Sequence, residues 1–272
     1  MRWIVNSIDV VQYRYHLRER AMVICGKTYN DKLVIDFYYG YLYNESDRRC
    51  CMNSIFDIIG PVMIGPSSSH TAGASRLANM ARYIFQEQPA RVDMTLYGSF
   101  AKTYKGHGTD KALLAGLLGL GADDERIREA YTLASKSHLS YRFIESPIDV
   151  GHPNVVRFDM YNADDSHHAS VVGRSLGGGR ILVTEIDGMA VDITGDEETL
   201  IILHNDKPGV IFGVSGVLGQ KQINISGMRV FRKNKHEEAV MVITTDSPVD
   251  KVSLGEIRNL PNVTDVLMFA KL

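Results

Sequence analysis

The stretch Leu203-His204-Asn205-Asp206-Lys207-Pro208-Gly209-Val210 joins the end of one apolar run to the start of another through a turn rich in Asn, Asp, Pro and Gly. Asn, Asp and Gly favour the turn, and a proline at an early helical position gives up only an N–H that would be unpaired there. Before the turn, residues 200–204 read as a strand. After it, the pattern predicts a helix over 210–221, a strand over 223–231, a polar turn over 232–236, a strand over 239–244, a helix over 249–259 and a strand over 263–268. That order, βαββαβ, predicts a ferredoxin-like domain over 197–272.

Upstream, strand patterns at 91–97, 139–145, 155–161, 169–172, 181–186 and 189–193 are interspersed with helices expected after Thr71, Thr109 and Asp124. The expected fold class is therefore α+β, with a mixed-sheet domain over 52–196 ahead of the smaller one.

The first domain carries the residues suited to chemistry. Gly65-Pro66-Ser67-Ser68-Ser69-His70-Thr71 sets three serine hydroxyls, an imidazole and a threonine between a proline-fixed turn and a helix. Leu77, Met80, Ala81, Ile84 and Phe85 fall at helical spacing, so a helix is predicted from about Thr71 to Gln86. The free N–H groups and dipole of its first turn would favour a carboxylate or phosphate. His70 suits proton transfer, because an ordinary imidazole titrates near 6.5. The plainer account is that the serines only cap the helix, for which one would suffice. Gly106-His107-Gly108-Thr109-Asp110 precedes a second helix and offers either another anion site or an ordinary cap beside an exposed histidine. His152-Pro153-Asn154 holds a His-Asn pair in an extended turn, or is a simple loop. Ser175-Leu176-Gly177-Gly178-Gly179 permits close backbone approach to a ligand, or a hairpin turn.

Charge and composition bound the partners. Thirty Lys and Arg against 32 Asp and Glu give a net charge of −2, without a basic run that could follow a phosphate backbone. The longest apolar stretches are glycine-broken and too short to span a bilayer. No nucleic acid, no membrane and a cytoplasmic location are expected. The cysteines are Cys25, Cys50 and Cys51. No disulfide framework, metal site or thiolate-held cluster is therefore expected from this chain beyond residue 51. Residues 1–51 also carry the sole tryptophan, Trp3, and an aromatic run over 37–43. Arg48-Arg49 can be encoded AGG-AGG, a ribosome-binding sequence, shortly before Met52. Met52 is thus the expected initiator and 1–51 a translated leader, the alternative being a divergent β-rich extension; a mature N-terminal peptide from before Met52 would exclude the leader.

Taken in order, Phe56-Asp57-Ile58-Ile59-Gly60-Pro61-Val62, the loop from Gly65 to Thr71, Gly106 to Asp110 and His152 to Asn154 resemble the β chain, or β domain, of iron–sulfur-dependent L-serine dehydratase. The resemblance covers about 52–272. The segment from Leu203 to Val210, with Leu218-Gly219 and Ile223-Asn224-Ile225, looks like an ACT domain, an amino-acid-sensing module. The tail and the stretch 177–187 are also similar to the allosteric substrate-binding and ACT portions of D-3-phosphoglycerate dehydrogenase.

The resemblance implies deamination of L-serine to pyruvate and ammonia. It implies a 4Fe-4S cluster held by three cysteines of a partner L-serine dehydratase α chain, with one open iron polarising the serine hydroxyl. A base then takes the Cα proton, and the aminoacrylate hydrolyses. On this chain it implies His70 and His107 as acid–base candidates, with Ser67, Ser68, Ser69, Thr71, Thr109, Asp110, His152 and Asn154 around the substrate. In serine-sensing ACT domains a His and two Asn hold the amino acid. His204 and Asn224 match and Asp206 replaces one Asn, so these three are the expected effector contacts, and the domain is expected to pair with a second copy of itself. The alternative is a non-catalytic, amino-acid-binding regulatory module built from the same folds.

Overall fold

The computed structural model describes residues 62–232 and 234–271, together with the backbone of three N-terminal strands; Met52, Cys50, Cys51 and the motif residues 56–61 lie outside the described residues. The N-terminal strands, β1 (Gln12–Leu17), β2 (Arg20–Tyr29) and β3 (Lys32–Tyr41), form an antiparallel meander in the order β1-β2-β3. They belong to a unit separate from residues 53–272.

The larger unit is built on a six-stranded sheet in the order β5-β4-β6-β7-β8-β9, in which only the β4–β5 pair is parallel. The strands are β4 (Arg91–Tyr97), β5 (Ser140–Glu145), β6 (Asn154–Tyr161), β7 (His168–Gly177), β8 (Arg180–Ile186) and β9 (Met189–Ile193). Alternation decides which face is covered. Val92, Met94 and Leu96 of β4 and Val156, Phe158 and Met160 of β6 are buried beneath the helices. The residues between them on β4, Asp93, Thr95 and Tyr97, fall on the opposite, partly open face.

The helical layer contains α1 (Ala74–Phe85), α2 (Gly98–His107), α3 (Thr109–Leu117) and α4 (Ala130–Lys136). Leu77, Met80, Ala81, Ile84 and Phe85 form the buried stripe of α1, as their spacing predicts. Burying a side chain such as Phe85 or Leu77 is worth about 1.5–3 kcal/mol, which fixes the helix on the sheet. Helix α1 packs against α3 so closely that a Cβ on Gly116 would lie 2.3 Å from the carbonyl oxygen of Ser75.

The second sheet contains β10 (Glu198–Asn205), β11 (Ile225–Arg232), β12 (Glu238–Thr245) and β13 (Val263–Phe269), all antiparallel to their neighbours in the order β11-β12-β10-β13. With α5 (Val210–Gln220) and α6 (Lys251–Arg258) this is the βαββαβ arrangement. Leu200 and Ile202 face these helices, whereas Ile201, Val240, Val242 and Phe269 join the core of the first sheet. The two sheets thus share buried surface.

Three local expectations are corrected. Helical structure begins at Ser68 rather than Thr71, as one π-helical turn, Ser68–Gly73, running into α1; Ser67 caps it by accepting from the His70 N–H at 3.3 Å. Strand β7 runs on to Gly177, five residues beyond the apolar stretch that predicts it. Helix α2 is unpredicted, because Phe100, Ala101 and Tyr104 are its only buried residues and its first residues are Gly98-Ser99.

Candidate functional site

The π-helical turn places His70 at the centre of a cluster. The residue is 8 % exposed, and both ring nitrogens meet hydroxyls: Nδ1 lies 3.4 Å from Ser67 Oγ and Nε2 lies 3.2 Å from Ser99 Oγ. The His107 ring stands edge-on at 4.7 Å between centroids, and Phe100 closes another side at 5.1 Å. Burial, and then the neighbouring His107, hold the His70 pKa below the ordinary histidine value. A neutral imidazole able to accept a proton results.

Ser99 and His107 are brought there by α2, whose position depends on a tight junction. Gly98 has φ +59°, and a Cβ on it would lie 2.6 Å from the carbonyl oxygen of Pro153. That same oxygen accepts from the N–H groups of Ser99 at 2.6 Å and Phe100 at 3.2 Å. The His152-Pro153-Asn154 motif is therefore the seat of the helix start. Within it, His152 Nδ1 accepts from the Asn154 N–H at 3.2 Å, and burial, then Arg174, lower the His152 pKa.

The serine-rich turn is also tied to the β7–β8 hairpin. Gly177, Gly178 and Gly179 have φ of +93°, +62° and +78°, a run that L side chains rarely adopt. The Gly178 N–H donates to Ser68 Oγ at 3.3 Å. A Cβ on Gly177 would stand 3.8 Å from Ser69 Oγ. The glycine stretch is thus a hairpin turn, and it also brings backbone close to the site.

Two hollows adjoin the histidine pair. A groove of about 910 Å³ is lined by Ser99, Lys102, Thr103, Glu145, His152 and Pro153, among others. A smaller hollow of about 240 Å³ is lined by Gly65, Thr71, His107, Gly108 and Lys111. The buried hydroxyls of Thr71 and Thr109 and the buried Asn154 Oδ1 have no protein hydrogen-bond partner, an unusual cost for groups so deep. Asp110 is already engaged: Oδ1 accepts from the Lys111 N–H at 2.8 Å, and Oδ2 accepts from the Tyr131 hydroxyl.

The structure therefore gathers Ser67, His70 and His107 directly, and ties Ser68 and His152-Pro153-Asn154 to them through the hairpin and the start of α2. Ser99 and Thr103 belong to the same constellation and escape sequence reasoning, whereas Gly178 lies in the glycine stretch that the sequence offers as a close backbone approach or a hairpin turn. The positive-φ glycine directly after strand β4 is the one local signal for Ser99.

The expected effector contacts are not gathered within one chain. His204 is buried, with Nδ1 against the Asn205 carbonyl oxygen at 2.9 Å and Nε2 unpartnered. Asp206 accepts from Arg232 at 2.9 Å and from the His236 N–H at 3.1 Å, contacts that hold its carboxyl below the usual range, the His236 N–H most of all. Asn224 donates to Asp246 and precedes β11, which starts opposite Thr245, the partner of Glu198 at the start of β10. Asn224 thus lies at one end of the sheet, and His204 and Asp206 at the other.

Among the described residues no group of three or more His, Cys, Asp or Glu is placed to hold a metal ion, and no helix is long and apolar enough to cross a membrane. The donors of the site are hydroxyls and imidazoles, a set that does not fit the thiolate ligation of an iron–sulfur cluster.

Comparison with known proteins supplies the last observation. Residues 54–142 match the family model described as serine dehydratase beta chain, and residues 199–262 match the ACT domain. The chain is 43 % identical over 218 residues to the "Probable L-serine dehydratase, beta chain" of Bacillus subtilis, covering 80 % of this chain and 98 % of that one. It is 38 % identical over 198 residues to the "L-serine dehydratase, beta chain" of Peptoniphilus asaccharolyticus, covering 72 % and 88 % respectively. A D-3-phosphoglycerate dehydrogenase of Methanocaldococcus jannaschii is 28 % identical over 195 residues, with 71 % of this chain but 36 % of that one covered.

Proposed function

The chain belongs to the family of L-serine dehydratase beta chains, and from that premise we propose that it is the substrate-side subunit of a two-chain L-serine ammonia-lyase. Residues 52–196 form the catalytic domain and 197–272 the ACT domain. The partner α chain holds the 4Fe-4S cluster, since the cysteines of this chain, Cys25, Cys50 and Cys51, all precede the catalytic domain. The observation that carries the reading is the pair formed by buried His70 and half-buried His107, with hydroxyls on both nitrogens of His70 and two hollows beside it.

The residues of this chain divide the work. The N–H groups of Ser68 and Ser69 at the start of the π-helical turn, with the nearby serine and threonine hydroxyls, hold the substrate carboxylate. The imidazole pair accepts the Cα proton. Elimination of the β-hydroxyl leaves an aminoacrylate, whose imine tautomer takes up water and releases ammonia and pyruvate. Thr109, Asp110, His152 and Asn154 shape the surroundings, Asp110 by fixing the start of α3 and Asn154 by seating α2. The regulatory-module alternative is set aside, because the chain spans nearly the whole B. subtilis beta chain and only 36 % of the dehydrogenase.

In the ACT domain the outer strands β11 and β13 leave edges that a second copy can cover. His204 and Asp206 from one copy would then meet Asn224 of another, which joins the three effector contacts without moving either sheet. Iron analysis tests the cofactor assignment. The purified chain is expected to be colourless, iron-free and inactive on L-serine; a brown, active protein from this chain alone would overturn the two-chain reading.

A further inference from the structure

We propose that Thr103 is a positioning residue that fixes His107 in the tautomer with its proton on Nδ1, leaving the Nε2 lone pair as the atom His107 offers for proton transfer; the inference rests on the lyase reading of this site. Ser99, Thr103 and His107 are spaced four apart along α2 and so share one face of the helix. Thr103 Oγ1 donates to the carbonyl oxygen of Ser99 at 2.9 Å. His107 Nδ1 lies 3.1 Å from the same hydroxyl oxygen.

Counting protons settles the direction of the second bond. A hydroxyl has one proton, and a carbonyl oxygen can only accept. With its proton spent on Ser99, Thr103 Oγ1 can only accept from the ring. A neutral imidazole carries a single N–H, so a proton on Nδ1 leaves Nε2 bare. Threonine suits this duty, because in a helix its Oγ1 readily bonds a carbonyl one turn back. His70 has no such constraint: both its nitrogens face serine hydroxyls, which can donate or accept. His107 is therefore the member of the pair whose tautomer the backbone dictates. Thr103 lines the larger groove and His107 the smaller hollow with Thr71 and Lys111, so the hydroxyl also orients the ring between them.

The test compares Thr103→Val, which keeps the shape without the hydroxyl, with Thr103→Ser, which keeps the hydroxyl. Long-range proton–nitrogen correlation on the full chain labelled with ring-¹⁵N histidine reads each tautomer, with His107→Gln assigning the signals. The wild-type His107 ring should show Nδ1–H, Thr103→Ser the same, and Thr103→Val a mixture of tautomers. With the α chain present, Thr103→Val should lower kcat for L-serine by about 10²-fold, the order expected when a reacting group is misplaced by about 1 Å, and Thr103→Ser should restore it. An Nε2–H ring in the wild type, or a Val variant with unchanged tautomer and turnover, would overturn the assignment. The tautomer is read without substrate, so an Nδ1–H ring in an assembled enzyme that makes no pyruvate would support the hydrogen-bond assignment and overturn the lyase reading instead.

Discussion

Replacing Gly98 by alanine tests the junction on which the site depends. The backbone there has φ +59°, and the new Cβ would lie 2.6 Å from the carbonyl oxygen, 2.8 Å from the Cα and 3.0 Å from the carbonyl carbon of Pro153. All three are main-chain atoms, which cannot rotate away as a side chain would. The left-handed conformation costs an L residue about 1–2 kcal/mol. Crowding adds about 1–3 kcal/mol, and the stiffer unfolded chain returns about 0.4–1 kcal/mol. The expected destabilisation is thus about 1–5 kcal/mol. Gly106 on the same helix supplies the control, since a Cβ there meets nothing within 4 Å. Gly106→Ala should be neutral or stabilising by up to about 1 kcal/mol. Urea unfolding of both variants, followed by circular dichroism, gives the comparison. Because Ser99 and Phe100 hang from the same Pro153 oxygen, Gly98→Ala should also reduce turnover in the assembled enzyme. If it proves as stable as Gly106→Ala, the close seating of α2 against Pro153 is wrong.

His70→Ala in the two-chain enzyme should lower kcat by about 10²–10⁴-fold, the usual worth of a positioned acid or base. Ser68→Ala should act mainly through KM if its hydroxyl only helps hold the carboxylate, and steady-state pyruvate assays separate the two effects. His70 and His152 both titrate below the ordinary value of 6.5, so the unfolded chain takes up their protons first as the pH falls. Stability should therefore decline as pH drops below about 6.5, level off once the folded rings protonate, and not vary with pH through these groups above that range. Urea midpoints between about pH 7 and 5 check this, and the slope should flatten in a His70→Asn, His152→Asn double variant. Light scattering should show the chain self-associated through its ACT domain, whereas a monomer would refute the pairing; calorimetry with L-serine and other amino acids tests the effector contacts.

Much of the architecture was legible because burial imposes periodicity. Strands β4 and β9 and the stripe of α1 coincide with their apolar patterns, and the turn from Asn205 to Gly209 announces the βαββαβ order. What periodicity misses is structure held by junctions. Helix α2 buries only Phe100, Ala101 and Tyr104, and takes its start from Gly98 and the Pro153 carbonyl, a contact 55 residues away in the chain. Ser99 and Thr103 stayed hidden with it. The helix start at Ser68 was misplaced for a related reason: Ser67 commits its hydroxyl to the His70 N–H, so capping and chemistry share one serine. The identity of the polar clusters was readable, whereas their convergence was not. The same limit separates Asn224 from His204 and Asp206, which follow one motif in sequence yet lie at opposite ends of one sheet.

The central claim, that this chain carries the proton-moving, serine-holding half of a two-chain lyase, is tested most directly by anaerobic reconstitution. The chain and an L-serine dehydratase α chain are combined with iron and sulfide, and pyruvate is assayed from L-serine. Pyruvate should form only when both chains are present, and the rate should saturate as this chain is added to a fixed amount of the other. Equal pyruvate formation by the partner without this chain, or by this chain alone, would contradict it.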